Sequence, residues 1–214
     1  MTCFRQGGIM ELLAQIRNAL SADSVRRASV FVGADENRTR RAIGQLVPAV
    51  MAASINLVST DDGAFSFQCM LQEGRHVDVL MGELPSLLNS RDSARSLLSV
   101  GERAIDRLMG KQSVAIAHAI AEECGITEPA AAELMQLVSL AMLGLLGRMI
   151  SEDQITRRGV IDVIRNQRGM TARALPPEVA KVIELYENPR DEMEEVLAAS
   201  GWSLRKLRVF RLFT

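Results

Sequence analysis

Residues 134–147 read LMQLVSLAMLGLLG, an uncharged run that is apolar on every side of a helix. A helix that is hydrophobic all round must be covered on all its faces by protein or by lipid. As a helix, these fourteen residues rise only about 21 Å, less than the ~30 Å hydrocarbon core of a bilayer. The run therefore predicts the central, fully buried helix of a helical bundle.

A second apolar run, residues 42–60, reads AIGQLVPAVMAASINLVST and follows a basic flank. Its length and flank would suit a membrane span. However, its large apolar residues recur at i, i+3 and i+4, with Gln45 and Asn56 on the other side. A one-sided stripe is typical of a helix that faces a protein core. We expect such a helix, kinked at Pro48.

Turn and capping signals divide most of the remaining chain into helices. Gly33 and Gly125 are suited to end helices in the left-handed conformation, and Asp35 and Thr127 are suited to cap the helices that follow. We expect another helix over residues 92–109, broken near Gly101. Residues 63–82 are ambiguous, because period-2 alternation across 65–79 would normally indicate a β-hairpin. Both the helix and the hairpin are kept for that segment.

Composition excludes several classes of protein. The chain has 214 residues, a formal net charge of −1, 48% hydrophobic residues and three cysteines. This apolar content is too high for a disordered chain, and the near-zero charge argues against binding through bulk electrostatics. Three widely spaced cysteines do not form a disulfide framework, and they suit a reducing compartment. We expect a cytoplasmic protein.

The chain contains two segments that resemble each other, residues 24–60 and 111–150. Each has a short helix, a glycine turn and a long apolar helix, so each is a candidate helix-turn-helix unit. We predict an all-α, multi-helix bundle built from such units, through internal duplication or through shared composition. The predicted organisation is an N-terminal helix in 1–23, a helical domain in 24–187, and an acidic helix followed by a basic, aromatic tail in 188–214.

The two units differ in their suitability for DNA. The second helix of the later unit begins with Thr127 and offers Glu128 and Glu133 but no basic residue, and phosphates would repel these acids. The earlier unit is richer in arginine, and its candidate nucleic-acid contacts are Arg26, Arg27, Arg38, Arg40 and Arg41. The simpler interpretation is a solvated face with acidic partners, and we favour it.

Nothing in the sequence indicates catalysis or a bound cofactor or metal. The two histidines, His76 and His118, lack zinc-type spacing, and His118 is expected to pair with Glu122 one turn later. Phosphate-loop and dinucleotide-binding patterns are absent. We therefore expect no catalytic residues, no cofactor and no metal.

The C-terminal segment 202–214 combines aromatic and basic residues without any acid. It docks on the domain or on the acidic helix predicted just upstream, at 190–199, or it forms an amphipathic anchor for a partner or an anionic membrane surface. We favour docking. The candidate partner contacts are Trp202, Arg205, Lys206, Arg208, Phe210 and Arg211.

Several stretches together resemble the bacterial YidB-like family, a domain of unknown function. They are LVPAV at 46–50, the glycine-bounded segment 101–110, the helix pair within 114–148 and the segment 175–185. The resemblance covers roughly residues 24–187. It implies an all-α, homeodomain-like fold with no known catalytic residues, and it implies that 65–79 is helical.

These observations give two hypotheses of function. The first is a non-catalytic helical scaffold or protein-interaction module, with an unknown protein partner or with self-association through apolar helix faces. The second is a nucleic-acid-binding protein that uses the arginines of residues 26–41. An enzyme of unrecognised type is the least favoured interpretation.

Overall fold

The computed structural model describes residues 12–74, 91–152 and 155–185. Within these ranges the regular structure is entirely helical, which confirms the all-α bundle. The helices, in chain order, are α1 Leu12–Ala19, α2 Ala22–Val32, α3 Glu36–Leu57, α4 Asp61–Gly74, α5 Arg91–Met109, α6 Gln112–Cys124, α7 Glu128–Ser151, α8 Arg157–Arg165, α9 Arg168–Ala174 and α10 Pro177–Val182.

The long helix α7 lies at the centre of the bundle. It packs against α1 to α6 and against α8, and Leu134, Val138 and Leu146 have no exposed surface. Of the helices described, α7 alone is long and apolar enough to cross a membrane, and 78% of its most apolar window is buried inside the fold. The 24-residue helix is longer than the uncharged run, so its burial, and not its length, is what supports a core position.

Helix α3 is the second core helix, and it packs against α7. Its stripe faces inward as expected, since Leu46 and Val50 have no exposed surface. Near the C-terminal half of α3, the Ser54 hydroxyl donates to the carbonyl of Val50 at 2.8 Å and lies 3.5 Å from Met142 Sδ of α7. The hydroxyl is thereby satisfied within an apolar contact.

The two glycine turns have the same geometry. Gly33 and Gly125 adopt φ of 68° and 65°, and in each turn the next residue's N–H reaches back to the carbonyl five residues earlier. This is the Schellman arrangement, which glycine favours because it has no Cβ. Asp35 and Thr127 then accept backbone N–H groups of α3 and α7. Both predicted stops and both predicted caps are confirmed.

The predicted break at Gly101 is wrong, because α5 runs without interruption from Arg91 to Met109. Gly101 serves a packing contact instead. A Cβ atom at this position would lie 2.8 Å from the carbonyl oxygen of Gln136 and 2.9 Å from its Cβ. The glycine therefore allows α5 to approach the backbone of α7 closely.

The hairpin alternative is also wrong wherever the structure describes the segment. Residues 61–74 form α4, and Phe67, Met70 and Leu71 are buried at helical spacing. The alternation misled because Phe65, in the alternating apolar set, is 68% exposed, whereas Met70, in the opposite set, is buried. The second half of the proposed hairpin, at 75–82, lies outside the described residues.

The C-terminal helices close one side of the bundle. Arg165 donates from Nε and Nη2 to the carbonyl oxygen of Val58, at 3.0 and 2.5 Å, just after α3 ends. Helix α10 packs against α6, and the Gln112 side chain donates to the carbonyl of Val182 at 3.1 Å. The last described helices are thus held to the bundle through the end of α3 and through α6.

Candidate functional site

An open groove runs between α5, α6 and the first turns of α7. Its volume is about 340 Å³. Val114 contributes an exposed apolar side chain, 68% accessible. The apolar lining residues are Ile105, Val114, Ala117, Pro129, Ala132 and Met135. The surface of this bundle therefore includes a concave apolar strip.

Acidic side chains stand along this groove. Glu102 and Asp106 are one turn apart on α5, which places them on the same helix face, and Glu128 lies in the first turn of α7. All three are exposed, and among the described residues that line the groove none is basic. Carboxylates therefore flank the apolar floor, and they favour a cationic ligand over an anionic one in the groove.

His118 stands beside this groove and at the border of a second one. Its Nδ1 lies 2.8 Å from Glu128 Oε1, and its Nε2 lies 3.7 Å from Glu122 Oε1. The hydrogen bond to Glu128, with the charge of Glu122, raises the pKa of His118 above its ordinary value of 6.5. The expected pairing with Glu122 is present, but the closer partner is Glu128, ten residues away, which helical spacing does not reveal.

The second groove lies between α6 and α10. It has a volume of about 600 Å³ and is lined by His118, Glu122, Glu123 and Val182 among others. Its one lysine, Lys181, is paired with Glu178 at 2.6 Å. Acidic side chains therefore line both grooves: they come from α5 and α7 in the first and from α6 and α10 in the second.

The described residues do not assemble a metal site around His118. The two carboxylates beside His118 approach opposite ring nitrogens, so the three groups do not converge on one point. Within the described ranges, no group of three acidic, histidine or cysteine side chains is arranged to hold a metal. Burial, together with the charge of Glu123, raises the pKa of the Cys124 thiol, which disfavours the nucleophilic thiolate. His76 lies outside the described residues.

The arginines on α2 are engaged by an acidic partner in the same helix. Arg26 and Arg27 both pair with Asp23, and the Arg27 Nε lies 2.8 Å from Asp23 Oδ2. These hydrogen bonds, the one from Arg27 foremost, lower the pKa of the Asp23 carboxyl. One carboxylate thus engages both arginines, and α2 keeps a net charge of +1.

Two of the three arginines at the start of α3 are also engaged. Arg38 donates from Nη1 to the carbonyl oxygen of Gly125 at 2.9 Å, and Arg40 pairs with Glu36 at 2.6 Å. Arg41 is exposed and makes no hydrogen bond or ion pair among the described residues. Four of the five candidate nucleic-acid contacts thus have partners within the chain.

The candidate partner contacts in the C-terminal segment, Trp202 to Arg211, lie outside the described residues. So does the acidic stretch at 190–199. The groove itself was missed at the level of sequence. Its local signals are the acidic pair one turn apart on α5 and Val114 near the start of α6, and neither tells which helices meet there.

Comparisons with known proteins identify a family but no activity. The sequence model of a family described as "Bacterial protein of unknown function (DUF937)" matches residues 14–149, more than half of the chain. No curated protein matches the chain. No solved structure matches it either.

Proposed function

Because the chain belongs to the bacterial DUF937 family, whose function is unknown, we propose its role from the surface it presents. The chain is a non-catalytic protein-interaction module, and the groove between α5, α6 and α7 is its binding surface. Its ligand is a basic, amphipathic segment of a protein partner. The observation that carries this proposal is the apolar floor flanked by Glu102, Asp106 and Glu128.

An amphipathic segment fits both parts of that surface. Its apolar face would cover Val114 and Pro129, both of which are exposed, since recognition in a groove works through anchors at i, i+3 and i+4. Its lysines or arginines would face Glu102 and Asp106, which accelerate association and select against acidic partners. Neither part depends on a catalytic group.

A labelled, helix-forming peptide of leucine and lysine is a suitable probe of the full chain. We expect saturable binding that weakens about tenfold or more in Glu102→Lys/Asp106→Lys, because like charges across an interface are strongly unfavourable. The matched control is Glu152→Lys, at the other end of α7, about 36 Å away along the 24-residue helix. Equal binding by all three chains would contradict the proposal.

Nucleic-acid binding is a second candidate, favoured by one observation: Arg40 and Arg41 are both exposed at the start of α3. It receives less support because Arg26, Arg27 and Arg38 are engaged within the chain. The groove side of the molecule would also repel phosphates. Self-association through apolar helix faces remains another form of the interaction hypothesis.

We further propose that α2–α3 and α6–α7 are homeodomain-like helix-turn-helix units, as the resemblance to the YidB-like family implies. Supporting this are the matching turns, in which a left-handed glycine precedes the capping residue by two positions in each pair. The proposed compartment is the cytoplasm, in keeping with the thiols of Cys69 and Cys124, both free.

A further inference from the structure

The C-terminal segment of this chain has the chemistry that the groove would recognise. Residues 202–214 contain one tryptophan, two phenylalanines and four basic residues, with no acid. The groove offers an apolar floor and three carboxylates, and its lining within the described ranges includes no basic residue. We infer that segment 202–214 occupies the α5–α6–α7 groove of the same chain. This inference rests on the proposed function, because it takes the groove to be a binding surface and names a ligand for it within the same chain.

The path of the chain brings the segment within reach. The last described residues follow α10, which packs against α6, one wall of the groove. Residues 186–201 connect them to Trp202, and sixteen residues reach up to about 50 Å when extended. Helix α6, with its thirteen residues, is only about 20 Å long. The connection is therefore long enough to reach any point on the groove.

Tethering makes this occupant hard to displace. A ligand attached through a short linker has an effective concentration in the millimolar range. A free basic segment of similar affinity must compete with it, so an external partner binds only when it is more abundant or tighter. The C-terminal segment thereby sets the threshold for partner binding.

The sequence supplies its own probe for this contact. Trp202 is the only tryptophan in the chain, so tryptophan fluorescence of the intact protein reports on the C-terminal segment alone. We expect blue-shifted emission and weak quenching by acrylamide, a neutral quencher, as is typical of a covered indole. In Glu102→Lys/Asp106→Lys the emission should move to that of a solvated indole, with severalfold stronger quenching. Glu152→Lys should leave both unchanged, and circular dichroism should show all three chains equally helical.

Three results would overturn the inference. One is solvated emission in the unmodified chain. Another is covered emission that the groove variant leaves unaltered. The third is covered emission that is lost on dilution, since the occupant is then a second copy. If the emission of the unmodified chain is that of a solvated indole and shifts to the blue only when phosphatidylglycerol vesicles are added, the inference is also overturned. The segment then binds a membrane surface.

Failure of this inference can be separated from failure of the proposed function. The leucine–lysine peptide is titrated into the full chain and into Trp202→Ser/Phe210→Ser/Phe213→Ser. We expect severalfold tighter binding by the triple variant, because its groove is vacated. Equal affinity for both chains contradicts only the intramolecular contact. Absence of binding to the triple variant contradicts the groove itself.

Discussion

Gly101 on α5 touches Gln136 on α7 so closely that a Cβ atom on Gly101 would lie 2.8 Å from the Gln136 carbonyl oxygen. The obstructing atoms belong to the backbone and the Cβ of a core helix, so they cannot swing aside. We expect Gly101→Ala to lower the free energy of unfolding by about 1–3 kcal/mol, as overpacking of a fitted contact does. Equilibrium unfolding in urea measures this change.

Gly44, in the middle of α3, gives the matched control. A Cβ atom there would have no neighbour within 4 Å. Alanine loses less conformational freedom than glycine when it enters a helix, so Gly44→Ala should stabilise the fold by about 0.5–1 kcal/mol. Destabilisation by both substitutions to the same extent would show that the α5–α7 contact is not the cause.

The pair formed by His118 and Glu128 should be visible in a proton titration. Glu128 accepts a hydrogen bond from the His118 ring and Glu122 adds its charge, so the His118 pKa lies above 6.5. Glu128→Gln should lower this pKa, and Glu122→Gln should lower it less, since Glu122 lies farther away, at 3.7 Å. NMR detection of the ring protons, with His76→Gln to assign them, gives both values.

The same shift has a defined effect on stability. A group whose pKa is raised by folding stabilises the fold fully below its unfolded-state pKa. That contribution is lost as the pH rises through the raised pKa of the folded state. As the pH rises from the unfolded-state pKa of His118 through its folded-state pKa, the urea concentration at the midpoint of unfolding should therefore fall in the unmodified chain. It should fall less in Glu128→Gln. Identical pH profiles would contradict the assignment.

Thiol reactivity should differ between the two cysteines of the described region. Burial raises the pKa of Cys124, and its Sγ lies 3.4 Å from the side-chain oxygen of Gln45. Cys69 is partly exposed. Because the exposed thiolate is the reactive form, iodoacetamide should modify Cys69 well before Cys124, as peptide mass spectrometry would show. Urea should abolish the difference, and equal rates without urea would refute the prediction.

Binding to duplex DNA should be weak and only slightly dependent on salt. A protein that neutralises phosphates loses affinity steeply with salt, with a slope of roughly −0.9 per phosphate on logarithmic axes. We expect the mobility shift of the unmodified chain to match that of Arg38→Ala/Arg40→Ala/Arg41→Ala. Binding that depends steeply on salt concentration and is lost in this variant would support the nucleic-acid hypothesis instead.

The fold was largely predictable from local patterns, because helices carry their signals along the chain. The capping residues Asp35 and Thr127 and the glycines that end α2 and α6 act on neighbours within a few positions. Gly101 could not be interpreted in this way, since its role depends on a helix 35 positions later. The same limit applies to the groove, whose walls come from three helices, and to Arg38, whose partner is the carbonyl of Gly125.

The bonds from Arg165 to the carbonyl oxygen of Val58 hold α8, which lies beyond the family match, against the end of α3. The family match ends at residue 149, yet Val160, Ile164 and Val179 beyond it have no exposed surface. The segment that the family model matches is therefore shorter than the unit that excludes water. An expression fragment cut at residue 149 would end within α7 and uncover apolar surface, so we expect it to be less stable than the full chain.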